Sequence, residues 1–158
     1  MRYREMKCVV FYEMWQFQCC GHGFAVGDDV EWVVRKKETF RPAAVVSHEK
    51  CDETVDFENE DKYFLKGLDY CCDFHNSEWK ELSILKGKVA GIKLLYNKYA
   101  ATWDSPTYRV PVSDKIVNAK YSWGIDERVG NMRCSGYIVT IEDYMVRPAK
   151  EEEITFRL

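Results

Sequence analysis

Two stretches of this chain alternate apolar and polar residues with a period of two, and no other feature constrains the fold as much. In "FAVGDDVEWVVRKK" Val30, Trp32 and Val34 alternate with Glu31, Val33 and Arg35; in "VGNMRCSGYIVTIEDYMV" Tyr137, Val139 and Ile141 alternate with Ile138 and Thr140. Successive side chains on an extended strand point to opposite faces, so each stretch reads as a strand with one face turned inward. Gly27-Asp28 is a turn signal leading into the first strand, and Gly130-Asn131 supplies a two-residue hairpin turn for the second.

The rest of the chain fits around those strands. "KCVVFYEMWQF" (Lys7 to Phe17) is β-branched and aromatic and reads as a first strand, turned by "CCGHG". "AAVVSH" (Ala43 to His48) is a short third strand. "LSILKGKVAGIKLLYNKYA" is an apolar run in which Gly87 and Gly91 mark kinks or bulges. Pro106 and Pro111 confine "TYRVPV" to an edge or a strand end, and "ITFRL" closes the sheet. With ten Tyr, eight Phe and five Trp, the composition favours strand over helix. Between Glu49 and Asp61 seven acids crowd together, which reads as a solvated loop; Asn76 or Ser77 caps a short helix through Leu82. These readings predict one β-rich domain over residues 1–158, with a loop insertion at 49–78. The expected fold is mainly β: a small SH3-like or OB-like barrel with a long acidic insertion and at most one or two short helices.

A net charge of -3 gives no electrostatic footprint for duplex DNA. No run approaches the roughly 20 apolar residues of a membrane-spanning helix, and the apolar stretch after Arg2, Arg4 and Lys7 ends at Glu13, too short for a signal-peptide core. Seven cysteines, an odd number, without an export signal predict free thiols in a reducing cytoplasm and no disulfide.

The residues Trp15, Gln16, Cys19, Cys20 and Gly21, followed by Phe24, Val26, Gly27, Asp28, Val30 and Trp32, form a W-Q-x-x-C-C-G stretch and then an F-x-V-G-D-x-V-x-W strand. In this the chain resembles an uncharacterised bacterial family of small cytoplasmic proteins; "DFHNSEW" and "KGKVAGI" resemble later landmarks of the same family. The resemblance implies a bacterial origin and a β-rich domain, and carries no mechanism. "VGDDVEW" and "LKGKVAGI" are also similar to paired strands of SH3-like barrels, a fold that does not settle function.

Every histidine has a cysteine three positions away: Cys19 and His22, His48 and Cys51, Cys72 and His75, with Cys20 as the alternative in the first pair. That spacing lets one turn present two ligands, and thiolate with imidazole is a set zinc prefers, so these residues are the candidate Zn2+ ligands. The competing reading is that reduced thiols pack as small apolar groups. A second candidate is "KLLYNKYAATW", where Lys93, Tyr96, Lys98, Tyr99 and Trp103 could stack and neutralise single-stranded nucleic acid, against the reading that the aromatics pack inward. Two functions follow. One is a β-barrel binding module, zinc-stabilised, that engages a protein or nucleic-acid partner; the other is a metal-dependent hydrolase with a Cys/His-bound zinc and Glu49 or Glu78 as base.

Overall fold

A computed structural model describes residues 6–20, 22–39, 45–46, 54–55, 67–74, 78–102, 105–122 and 128–155. Its strands are β1 (Lys7–Glu13), β2 (Asp29–Lys36), β3 (Val45–Val46), β4 (Thr54–Val55), β5 (Tyr70–Cys72), β6 (Ser83–Thr102), β7 (Ser105–Ala119), β8 (Arg128–Val129) and β9 (Met132–Pro148). Two short helices, α1 (Met14–Cys20) and α2 (Glu151–Thr155), and 3-10 turns at Lys37–Thr39 and Trp79–Glu81 complete the described chain.

The strand pairings close on themselves. β1 pairs with β9 on one side and, in parallel, with β5 on the other; β5 pairs with β2, β2 with β6, and β6 with β9, all antiparallel. A closed ring of pairings gives every member an inner and an outer face. The main core is the inner face, read at every second residue: Cys8, Val10 and Tyr12 of β1, Trp32 and Val34 of β2, Cys72 of β5, and Tyr137, Val139 and Ile141 of β9. The phase expected for β2 and β9 is therefore the observed one. The fold is mainly β with two short helices.

The outer faces are not simply wet. Val33 and Ile84 are covered by Leu82, Ala149 and Ile154, so α2 lies over β2 and β6. Phe11, Cys71 and Ile138 pack outside the ring with Leu68 and Leu95. These two covered patches explain why the apolar character of β1 and β2 runs beyond strict alternation.

Several expectations change. Met14 to Phe17 do not continue β1; they begin α1, where Met14 and Phe17, three positions apart, are both buried while Trp15 and Gln18 are exposed. That i, i+3 pattern is helical and outweighs the strand preference of Trp15 and Phe17. Ile154 and Thr155 lie in α2 rather than in a closing strand, preceded by Glu151, Glu152 and Glu153, which suit the positive end of a helix dipole. Phe156 to Leu158 lie outside the described residues. Within 49–78, expected as a loop insertion, Tyr70–Cys72 is the ring member that joins β1 to β2. Apart from β4, the acidic run 49–61 lies outside the described residues, as do Asn76 and Ser77. The short helix expected there is present as the 3-10 turn Trp79–Glu81.

β6 has 20 residues, which at strand rise would extend roughly 65 Å if straight. Among the described residues it serves four partners: β2 and β9 along Ser83–Gly91, then β7 from Ile92 onward, with β4 beside Ala101 and Thr102. The change comes at two irregularities. Between Lys86 and Lys88, β9 carries an extra residue, with Asp143 in the left-handed region (φ 51); between Val89 and Gly91 the extra residue is on β6. Bulges of this kind bend and twist a strand. Glycine is required where strands approach most closely: a Cβ on Gly136 would collide with the Tyr12 carbonyl oxygen and press on Glu13 Cα, whereas one on Gly91 would meet nothing within 4 Å. Gly136→Ala should therefore destabilise the protein by at least about 1–3 kcal/mol, as overpacking does, while Gly91→Ala should change stability by less than about 1 kcal/mol. Urea titration of the two variants checks this contrast.

Candidate functional site

β5 ends at Cys72, and its pairing with β2 spans only Val34–Lys36. One further bond, Asp73 N–H to the Val33 carbonyl at 3.0 Å, continues the ladder. Toward Asp29, β2 keeps β6 on one side and has a cleft of about 560 Å3 on the other. Backbone groups alternate sides along a strand, so the direction of the Val33 carbonyl places the Glu31 and Asp29 backbone on the cleft side as well. The Asp29 and Glu31 side chains lie in the opposite phase to Trp32, which puts their carboxylates at the rim.

The described lining residues include Tyr12, Phe24, Trp32 and Phe74, together with His22, Asp28, Asp29 and Glu31. The aromatic floor is tightly packed. Phe24 and Trp32 have ring centroids 5.0 Å apart at 67°, Tyr12 and Trp32 5.3 Å apart at 79°, and Tyr12 and Phe74 5.4 Å apart at 33°. Trp32 meets Phe24 and Tyr12 edge to face, while Tyr12 lies nearly parallel to Phe24 at 13° and tilted to Phe74, so the floor has two main ring orientations. Around them His22, Asp28, Asp29 and Glu31 are exposed. Glu31 shares its charge with Lys86 at 3.4 Å, an exposed pair worth little by itself.

Three local devices hold this lining in place. Ala25 to Asp28 form a tight turn in which the Asp28 N–H donates to the Ala25 carbonyl at 3.1 Å, and Gly27 supplies the positive φ (96) at its third position. The Asp28 carboxylate accepts the Ala25 N–H at 2.9 Å. The turn is tied to its neighbours by Gly27 N–H to the Val89 carbonyl, Val26 N–H to the Lys120 carbonyl, and Ser122, whose Oγ accepts the Phe24 N–H at 2.9 Å. On the other wall the buried Gln16 of α1 accepts the Phe74 N–H through Oε1 at 2.8 Å. Arg35 donates to Thr39 Oγ1 (3.0 Å), Asp73 Oδ2 (3.0 Å) and Glu81 Oε2 (3.2 Å), joining β2, the residue after β5 and both 3-10 turns. A site built this way needs little reorganisation to bind.

The candidate metal residues are distributed unevenly. His22 is exposed and lines the cleft. Cys19 and Cys20 end α1, and their side chains lie outside the described residues, as do His48, Cys51 and His75. Cys72 is fully buried in the inner core. Its neighbour Cys71 points to the outer cluster, the opposite-face arrangement that an extended doublet requires. Among the described residues no group of three His, Cys, Asp or Glu stands close enough to hold a metal ion. Glu49 lies outside the described residues, and Glu78 is exposed before the 3-10 turn.

The candidate stacking residues are likewise dispersed. Lys93 is exposed, Tyr96 is buried in the inner core, Lys98 is half-buried and Trp103 lies outside the described residues. Tyr99 shares a hydrogen bond with Ser135 Oγ at 2.5 Å, and Ser135 donates to Asn97 Oδ1 at 2.5 Å. This polar chain bridges β6 and β9 beyond the end of their ladder at Gly91 and Thr140. Tyr12, Phe24, Phe74, Asp29 and Glu31, which form the cleft, did not stand out as a binding set in the sequence. The available signal was the clustering of Asp28, Asp29 and Glu31 just after a glycine turn and beside the inward Trp32.

The chain belongs to a family of unknown function, DUF6578, whose model matches residues 6–143. The match takes in the whole ring up to the bulge in β9, and every residue named in the cleft. No curated protein and no solved structure matches the chain.

The described thiols Cys8, Cys71, Cys72 and Cys134 are free and buried. Burial, with help from the Asp69 charge, pushes Cys8 from 9.0 up to about 12. Burial, reinforced by Glu13, does the same for Cys71, also up to about 12, and Cys72 is raised well above its ordinary value. A folded-state pKa above the unfolded one means that the unfolded chain loses its proton first as pH rises. The contribution of Cys8 and Cys71 to stability is thus fully present below pH 9.0 and is lost as pH climbs toward about 12. Melting temperatures measured across that range should decline, and the Cys8→Ala/Cys71→Ala protein should show a shallower alkaline decline from a lower starting point.

Proposed function

We propose that this protein is a binding module, and that its binding site is the cleft between β2, the Phe24–Asp28 turn and Phe74. The observation that carries the reading is the convergence on one preformed cleft of an aromatic floor and a few polar groups held by backbone hydrogen bonds. That combination of apolar area for affinity and sparse polar groups for orientation is typical of ligand sites. The carboxylates of Asp28, Asp29 and Glu31 at its mouth would repel phosphate, which favours a protein or small-molecule occupant over single-stranded nucleic acid here. The buried reduced thiols suit a reducing compartment such as a cytoplasm.

A fragment screen followed by amide chemical-shift mapping tests the proposal. Binders should shift Gly23, Glu31, Trp32 and Phe74 together, and Phe74→Ala should weaken them by about tenfold, or about 1.4 kcal/mol. Binders that map instead to the neighbouring surface at Lys88, Asp143 and Met145, with Phe74→Ala without effect, would refute it.

A further inference from the structure

Resting on the reading of the cleft as the binding site, we infer that the group it takes is an organic cation: an alkylammonium, carried either by a small molecule or by a lysine side chain of a partner. Three independent features of the lining converge on that chemistry.

The first is the floor. Aromatic faces carry negative electrostatic potential and attract ammonium groups, most effectively when several rings surround the cation at an angle to one another. Trp32 stands at 67° to Phe24 and at 79° to Tyr12, Tyr12 and Phe24 are nearly parallel, and Phe74, the half-buried ring, lies beside Tyr12, so the lining holds rings in two orientations over the buried core. The second is the rim. Asp28, Asp29 and Glu31 follow within four positions, all exposed, and among the described lining residues there is neither Lys nor Arg. A cation that enters passes through a negative field, and its desolvation on the aromatic floor is offset by carboxylates that stay in water. Asp28 retains its turn hydrogen bond to Ala25, Glu31 its pairing with Lys86, and Asp29 stands opposite Lys88 in the β2–β6 register. The third is the β2 backbone. Carbonyls of Asp29 and Glu31 directed to the cleft side are acceptors suited to an ammonium's N–H or polarised C–H groups.

The test compares pairs of the same shape that differ in charge. Choline is set against 3,3-dimethylbutan-1-ol, and a blocked Gly-Lys-Gly peptide against its Nε-acetyl-lysine counterpart, each titrated into the full chain and followed by the amide shifts of Glu31, Trp32 and Phe74 and by Trp32 fluorescence. The inference expects at least one charged member to bind at the cleft at least about tenfold tighter than its neutral twin. It also expects Asp29→Asn/Glu31→Gln to reduce that preference to less than about threefold. Binding of choline alone identifies a free small amine, and binding of the lysine peptide alone identifies a protein partner; either supports the inference. Charged and neutral twins that bind the cleft equally well would overturn the cation and leave the cleft as the site. Absence of any shift from all of these probes would overturn the cation too, and the fragment screen would then decide separately whether the cleft binds anything. Circular dichroism of the double variant confirms that it is folded, as expected for substitutions at exposed positions.

Discussion

The architecture depends on one very short strand. Tyr70–Cys72 has to join β1 to β2, in parallel on one side and antiparallel on the other, or the ring stays open and the inner core faces water. Three residues supply few ladder bonds, so the segment is fixed at both ends by other means. At its start Asp69 donates its N–H to the Val9 carbonyl, and its carboxylate accepts the Val9 N–H in return at 2.8 Å, while the Lys37 N–H reaches the Asp69 carbonyl. At its end Asp73 N–H reaches Val33, Gln16 takes the Phe74 N–H, and Arg35 takes the Asp73 carboxylate. The Arg35–Asp73 pair is largely buried, and Arg35 also reaches Thr39 and Glu81, so one guanidinium ties β2 to the segment after β5 and to both 3-10 turns. Cys71 and Cys72 fill the outer and inner clusters where a larger side chain would have to displace neighbours, which accounts for a cysteine doublet without invoking its chemistry.

The same shortness creates the cleft. Because β5 stops at Cys72 while β2 runs back to Asp29, part of the β2 edge is left facing a hollow bounded by the glycine turn and Phe74. Fold closure and the cleft are thus both tied to the shortness of a single strand. The aromatic rings on the hollow's floor also belong to the inner core, so site and stability are coupled: Tyr12, Phe24 and Trp32 cannot be altered for one without affecting the other. Rim positions such as Asp29 and Glu31 are free of that constraint, and specificity could be tuned there at little cost to the fold.

Much of this was legible in the sequence where local pattern and tertiary context agree. The inward phase of Val30, Trp32 and Val34, that of Tyr137, Val139 and Ile141, the Gly130-Asn131 hairpin and the irregularities near Gly87 and Gly91 follow from period-two alternation and glycine chemistry alone. What was not legible depends on distant partners. "YCC" is too short to announce a strand, and only its neighbours β1 and β2 make it one. "MWQFQCC" carries strand-preferring aromatics, yet Gln16 finds its partner on Phe74, far along the chain, and the segment coils. "EEEIT" becomes a helix that covers Val33 and Ile84. The candidate site was legible in its acids and in Trp32, but not as a cleft, since Tyr12 and Phe74 reach it only through the ring closure.

Native-state hydrogen exchange measures that closure most directly. If Tyr70–Cys72 is the closing strand on which the fold depends, the amides at Cys71 and Cys72 that bond to β1 or β2 should exchange only through global unfolding. Their opening free energy should then equal that of the slowest amides in β1, β2 and β9, and should fall with denaturant at the same slope. Exchange of these amides through a local opening, with little denaturant dependence and a free energy well below the global value, would show that the ring stands without β5 and would contradict this account.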